Sequence, residues 1–138
     1  MALERENSIG NIKLDDYIFA QLIRTAVHRT DGKALFASEK GKLLGGQGLN
    51  PSIGDVASSI KVTETEGRYE LEFYIIMSFG ASISQTTTDI LDYIEYELAG
   101  LLPDKGGKIT LKIVGVKSKK IAQRDLTVER EFEAKLKS

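Results

Sequence analysis

The sequence contains no cysteine. That one absence excludes disulfides, thiolate nucleophiles and cysteine-ligated zinc or iron–sulfur clusters together, and it fits a reducing compartment. Histidine occurs once, as His28. Long hydrophobic runs are missing too: the longest strongly apolar stretch, Phe73 to Met77, is far short of the roughly 20 residues that span a bilayer. Nor is there an excess of charge of one sign. A formal net charge of −1 supplies no global field to hold a polyanion or to press the chain onto an anionic bilayer. The opening residues, MALERENSIG, are partly acidic and lack the apolar region of a secretory signal. Together these absences predict a cytoplasmic protein without direct membrane insertion.

What is present predicts one folded domain. A chain of 138 residues with 41% hydrophobic and 28% charged residues can bury a core covering about two-thirds of its unfolded surface. GNIKL alternates Ile12 and Leu14 with polar neighbours, the period of a half-buried strand. Asp15 and Asp16 stand where carboxylates cap free amides and meet the positive end of a helix dipole. From Asp16 to about Thr30, Ile18, Phe19, Leu22, Ile23, Ala26 and Val27 trace one buried helical stripe. Asp31 and Gly32 end that helix, and ALFAS reads as a short strand.

Further along, Ile60 and Val62 alternate with polar residues, TEG makes a turn, and Tyr69 to Phe79 reads as the second strand of a hairpin. Tyr69, Leu71, Phe73, Ile75, Met77 and Phe79 share one face of it. Glu70, Glu72, Tyr74, Ile76 and Ser78 share the other, which turns from acidic to apolar and so reads as a surface patch. Ser82 and Gln85 have the spacing of a reciprocal capping box. The helix they open has a stripe of Ile83, Thr87, Ile90, Leu91, Ile94, Leu98 and Leu101 and stops before Pro103. ITLKIVGV forms the last strand. These elements predict an α+β fold: a two-layer sandwich with one mixed sheet of three to five strands and two helices on one face, in the order β-α-(β)-β-β-α-β.

The chain's end differs in character. Residues 117–138 hold seven Lys or Arg against four Asp or Glu. Val128, Phe132 and Leu136 repeat every four residues, and Glu131 with Lys135 and Glu133 with Lys137 are spaced as helical ion pairs, so a charged helix with a narrow apolar seam is expected.

The most conspicuous motif, KLLGGQGLNPSIG, places four glycines among thirteen residues. It has neither the lysine–hydroxyl pair of a Walker phosphate loop nor the third glycine of a dinucleotide fingerprint, for Pro51 stands in that place. Gly45 to Gly48 does satisfy the G-x-x-G of a KH nucleic-acid clamp. A KH loop joins two helices and usually carries a basic residue, whereas Lys40 and Lys42 are the only nearby cations, so a connector is the better reading. His28 lies off the apolar stripe and reads as a surface residue. Asp89 with Asp92, and Glu70 with Glu72, have no third acid or histidine at a recognisable spacing and read as solvated charge.

In their order, SIGNIKLDDYIFAQLIRTAV, SSIKVTETEGRYELEFYIIMSFGASI and KITLKIVGV resemble the alkaline shock protein family of Gram-positive bacteria. The matching positions are Gly10, Ile12 and Leu14; Phe79, Gly80, Ser82 and Ile83; and Val114, Gly115 and Val116. Two positions depart from the pattern: Ser84 where proline is frequent, and Phe79 where tyrosine is usual. The resemblance covers roughly residues 8–120. With the residue patterns above, residues 1–120 are expected to form the domain, with 33–57 a flexible glycine-rich connector and 121–138 a charged C-terminal helix or tail. The resemblance implies a non-catalytic structural or interaction protein of cell-envelope homeostasis or stress response, cytoplasmic and drawn near the membrane by a partner. No catalytic, metal-ligating or cofactor-binding residue and no cofactor is expected. Partners are expected to be proteins, a membrane-anchored one included, or further copies of the chain, meeting it at Tyr74, Ile76, Val114 and Phe132; nucleic acid is not expected. The alternatives are a KH-like module using Gly45 to Gly48 and an accessory protein of lipid or small-metabolite metabolism.

Overall fold

A computed structural model describes residues 4–5, 12–44 and 51–134. Two short strands, β1 (Glu4–Arg5) and β2 (Ile12–Lys13), pair antiparallel and lead into helix α1 (Leu14–His28). There follow β3 (Ala34–Ala37), α2 (Ile53–Ser59), β4 (Lys61–Thr65), β5 (Arg68–Ser78), α3 (Ile83–Leu101), β6 (Gly106–Lys117) and β7 (Ile121–Phe132). The α+β architecture with one mixed sheet stands as the sequence implied. β5 and β6 run parallel, with α3 as their crossover, and every other neighbour in the five-stranded sheet is antiparallel. β5 is long enough to take two partners on one edge: β4 pairs with its first half and β3 with its second, while β6 and then β7 extend the other edge.

Local chemistry explains the joints. β4 and β5 meet in a two-residue turn whose central residues, Glu66 and Gly67, both have positive φ, 53° and 80°. That is what a type I′ hairpin turn requires. After α1 the buried Thr30 hydroxyl donates to the Val27 carbonyl at 2.7 Å and accepts from the Ala34 amide at 3.1 Å, tying the helix end to β3. At α3 the Ser82 hydroxyl accepts from the Gln85 amide at 3.1 Å, but the Gln85 side chain donates forward to Asp89 at 2.9 Å. The cap is therefore one-sided rather than the reciprocal box that the spacing implied.

One core lies between the sheet and the helices. Phe19, Ile23, Ala26 and Val27 of α1 and Ile90, Leu91, Ile94 and Leu98 of α3 meet Leu71, Phe73, Ile75 and Met77 of β5 and Ile109, Leu111 and Ile113 of β6. Phe19 packs edge-on against Tyr69 at 5.1 Å, and Phe36 stacks on Phe73 at 6.3 Å. Ile18, Leu101 and Phe79, assigned to the buried stripes by periodicity, are exposed; Phe79 lies beyond the end of β5 and is 77% accessible.

Two expectations change. The 33–57 connector holds β3 and α2 among its described residues. The Ser52 hydroxyl caps the α2 amide of Asp55 at 3.1 Å, Val56 is buried, and the Arg24 side chain holds the Pro51 carbonyl at 2.7 Å. The C-terminal helix is replaced, over residues 121–132, by β7, which forms an antiparallel ladder with β6. A repeat of four is also a multiple of the strand period of two. Val128 and Phe132 therefore face the core from a strand as well as they would from a helix, and the ladder with β6 satisfies backbone groups that a lone helix would have to satisfy within itself. Leu136 lies outside the described residues.

Candidate functional site

The four residues expected to form a partner surface are not exposed together. Tyr74 is 1% and Ile76 0% accessible, and Phe132 is buried in the main core beside Tyr69 and Gly107. Val114 is half-buried. On the sheet face opposite the helices, Ala37, Tyr74 and Ile76 form a second, small cluster with Leu43 and Val114. Its cover comes from the chain itself. After β3 the chain doubles back in a tight turn, with the Ser38 amide donating to the Lys42 carbonyl at 2.8 Å and Gly41 at φ 86°. Sequence periodicity assigned Tyr74 and Ile76 correctly to the outer face, but it could not see that the segment after β3 folds over them.

A polar network surrounds this cluster. The Tyr74 hydroxyl donates to Glu72, whose carboxylate lies 3.6 Å from Lys61 and 3.9 Å from Lys112. Lys61 also pairs with Glu39 of the covering turn at 3.1 Å and stands 6.0 Å from the centre of the Tyr74 ring. Burial, with the bond to Glu72, pushes the Tyr74 hydroxyl up to about 12. Lys61 is pushed well above the usual lysine range, chiefly by its bond to Glu39.

Beside the network runs an open groove of about 530 Å³. Glu39, Lys40 and Gly41 form one wall, Gln123, Arg124 and Asp125 of β7 the other, and Tyr74, Lys112 and Val114 line it between them. The sheet register breaks at this place twice. Ile75 and Ile76 of β5 pair with Ile113 and Gly115 of β6, leaving Val114 over, and Ile113 and Gly115 in turn pair with Leu126 and Gln123 of β7. Irregularities of this kind bend a strand and re-aim its side chains.

β7 is the terminal strand of the sheet. Its second half is anchored: Arg130 reaches Asp92 and Glu95 of α3, each at 2.9 Å, and Glu129 pairs with Lys108 at 3.1 Å. Its first half, Ile121 to Leu126, is exposed throughout, including the apolar Ile121 and Leu126.

The other candidate residues lie apart. His28 is exposed at the end of α1. Asp89 is held by Gln85, Asp92 by Arg130, and Glu72 by the network above, while Glu70 is exposed on β5. No three His, Asp or Glu side chains gather as a metal site among the described residues. Gly45 to Gly48, the KH-like motif, lie outside the described residues; the chain before them is β3 with its turn, and α2 follows, so they do not join two helices. Among the described residues no helix is long and apolar enough to cross a membrane.

No curated protein and no solved structure matches the chain. A family model does match over residues 4–118, that of the alkaline shock proteins, described by a cell envelope-related function. The match takes in α1, the β4–β5 hairpin, α3 and β6, and so includes every stretch on which the resemblance read from the sequence rests. The chain belongs to the alkaline shock protein family, whose function is related to the cell envelope.

Proposed function

We propose that the domain serves the envelope as a non-catalytic interaction module of the stress response, cytoplasmic and held near the membrane by a protein partner that docks on the first half of β7. The observation that carries this reading is the contrast within one strand. Residues 127–132 are tied down by ion pairs and by the burial of Phe132, whereas Ile121 to Leu126 expose two large apolar side chains beside a backbone edge that no described strand covers. Natural sheets usually blunt such edges, and a segment left open is a template for an added strand. Either a second copy of the chain or a different, membrane-anchored protein could supply that strand by the same backbone pairing.

A photo-crosslinking residue at Ile121 or Leu126, compared in cells with one at the exposed Tyr96 of α3, tests the reading. Crosslinks to a discrete envelope-fraction protein from β7, lost in an Ile121→Glu/Leu126→Glu variant, are the expected result. Crosslinks from Tyr96 alone would move the docking surface to the helices.

A further inference from the structure

The groove on the outer sheet face combines features that neither the family nor the docking reading requires. Its volume of about 530 Å³ falls in the range of small-molecule sites, roughly 300–1,000 Å³. Its walls are built. One is a turn closed by the Ala37–Leu43 bridge and by the bond from the Gly41 amide to the Ser38 carbonyl at 2.9 Å. The other is the stretch of β7 where the ladder with β6 slips and re-aims Arg124 and Asp125.

The charges sort by partner. Glu72 and Glu39 are matched by Lys61 and Lys112, so that network is neutral in sum. Lys40 and Arg124 stand on opposite walls, and among the described residues neither of them, nor Asp125 beside Arg124, has an ion-pair partner. The uncompensated charge of the groove is thus that of two cations and one carboxylate, a net of one positive charge. One carboxylate set between the two cations, with a donor group on the same molecule for Asp125, answers all three charges. A dianion would add a second negative charge close to Asp125 and Glu39. An arginine and a lysine lining one groove suit an oxyanion, since a guanidinium can hold both oxygens of a carboxylate in its fork while an ammonium adds a point charge.

We propose that this groove binds a small organic carboxylate, its carboxylate held between Lys40 and Arg124 and a donor group of the same molecule turned toward Asp125. Glycine is the smallest such compound, with a carboxylate for the two cations and an ammonium for Asp125. The groove shares residues 123–125 with the segment proposed to dock a partner, but its ligand lies on the sheet face rather than along the strand edge, and its binding is read on the protein alone.

The test is an amide-shift titration of the isotope-labelled protein with glycine, with acetate and with inorganic phosphate, at constant ionic strength. Glycine should give saturable shifts at Gly41, Val114 and Gln123, with acetate weaker and phosphate weaker still. Lys40→Gln/Arg124→Gln should weaken glycine binding about tenfold or more, the loss of a charge-assisted contact. Lys119→Gln/Lys120→Gln removes the same charge from the β6–β7 turn and should leave binding unchanged. The proposal is overturned if glycine produces no saturable shift at the groove, if both double variants weaken it equally, or if phosphate binds more tightly than glycine. All of the substituted side chains are exposed, so the unperturbed remainder of each spectrum verifies folding.

Discussion

Gly107 faces Tyr69 across the parallel β5–β6 ladder with no room for a side chain between them. A Cβ on Gly107 would stand 2.9 Å from the Tyr69 carbonyl carbon, closer still to its oxygen, and 3.0 Å from Cζ of Phe132. The missing side chain is what lets the Phe132 ring lie over the ladder and seal the end of the core, much as an aromatic covers a strand glycine in other sheets. Gly107→Ala should therefore cost about 3 kcal/mol, the upper end of overpacking penalties, because the obstacle is backbone. Gly100, near the end of α3, has nothing within 4 Å of its built Cβ, and Gly100→Ala should stabilise by about 0.5 kcal/mol. Denaturant midpoints that move in opposite directions for the same chemical change would bear this out.

The β4–β5 turn offers a second stability test. Glu66 holds φ at 53° without glycine's freedom, a conformation that asparagine tolerates better than most residues. Glu66→Asn should raise stability by about 0.5 kcal/mol, read as a higher thermal midpoint with an unchanged unfolding enthalpy per residue. A fall in the midpoint would mean that the Glu66 side chain contributes more than its backbone strain costs.

Much of the fold was legible because it rests on periodicity. The stripe of α1, the alternation from Tyr69 to Met77 and the stripe of α3 each gave the buried face that the structure shows, apart from their end residues Ile18, Leu101 and Phe79. What escaped was set by tertiary partners. The strand at 121–132 has the four-residue repeat of a helix, and only the neighbouring β6 and the reach of Arg130 to α3 decide between the two forms. Tyr74 and Ile76 look like a patch until the turn after β3 is laid over them. The seven-residue helix α2 did have a signal, Ser52 followed three residues later by Asp55, hidden beside the glycines. Of the groove, Tyr74 and Val114 were expected at a partner surface, and Lys40 was noted only as a cation near the glycine-rich stretch. Lys40, Lys112 and Arg124 are separated by long stretches of chain, and no local pattern brings them together.

Arg130 should matter more than either of its acceptors. It is the only described cation joining β7 to α3, and it bonds Asp92 and Glu95 at the same distance, 2.9 Å. Asp92→Asn leaves Glu95 in place and should cost a few tenths of a kcal/mol, as exposed pairs do. Arg130→Ala removes both bonds and a largely covered side chain, and should cost about 1 kcal/mol. Hydrogen exchange gives the sharper reading: amides of β7 should exchange faster in Arg130→Ala while those of β5 do not change. Equal acceleration along the whole sheet would mean that β7 is not separately held.

The Tyr74 hydroxyl ties the outer face of the sheet to alkaline pH. Its value rises from an ordinary 10.0 to about 12, first because burial disfavours the phenolate and then because it donates to Glu72. An acid whose folded value lies above its unfolded one stabilises the fold while it stays protonated. That stability is fully present below pH 10, falls as the pH rises from about 10 to about 12, and is gone above that range. A rise of that size corresponds to about 2 kcal/mol after allowance for relaxation around a phenolate. Lys61 is raised as well, chiefly by its bond to Glu39. Denaturant unfolding of the wild type and of Tyr74→Phe across pH 8 to 12 isolates the effect. The wild type should lose about 2 kcal/mol more than the variant between pH 10 and 12, and the ultraviolet titration should show one tyrosinate appearing late and vanishing from the variant. Parallel stability curves would show that Tyr74 ionises in the folded protein as it does in the unfolded chain, and that burial beneath the turn after β3 does not govern it.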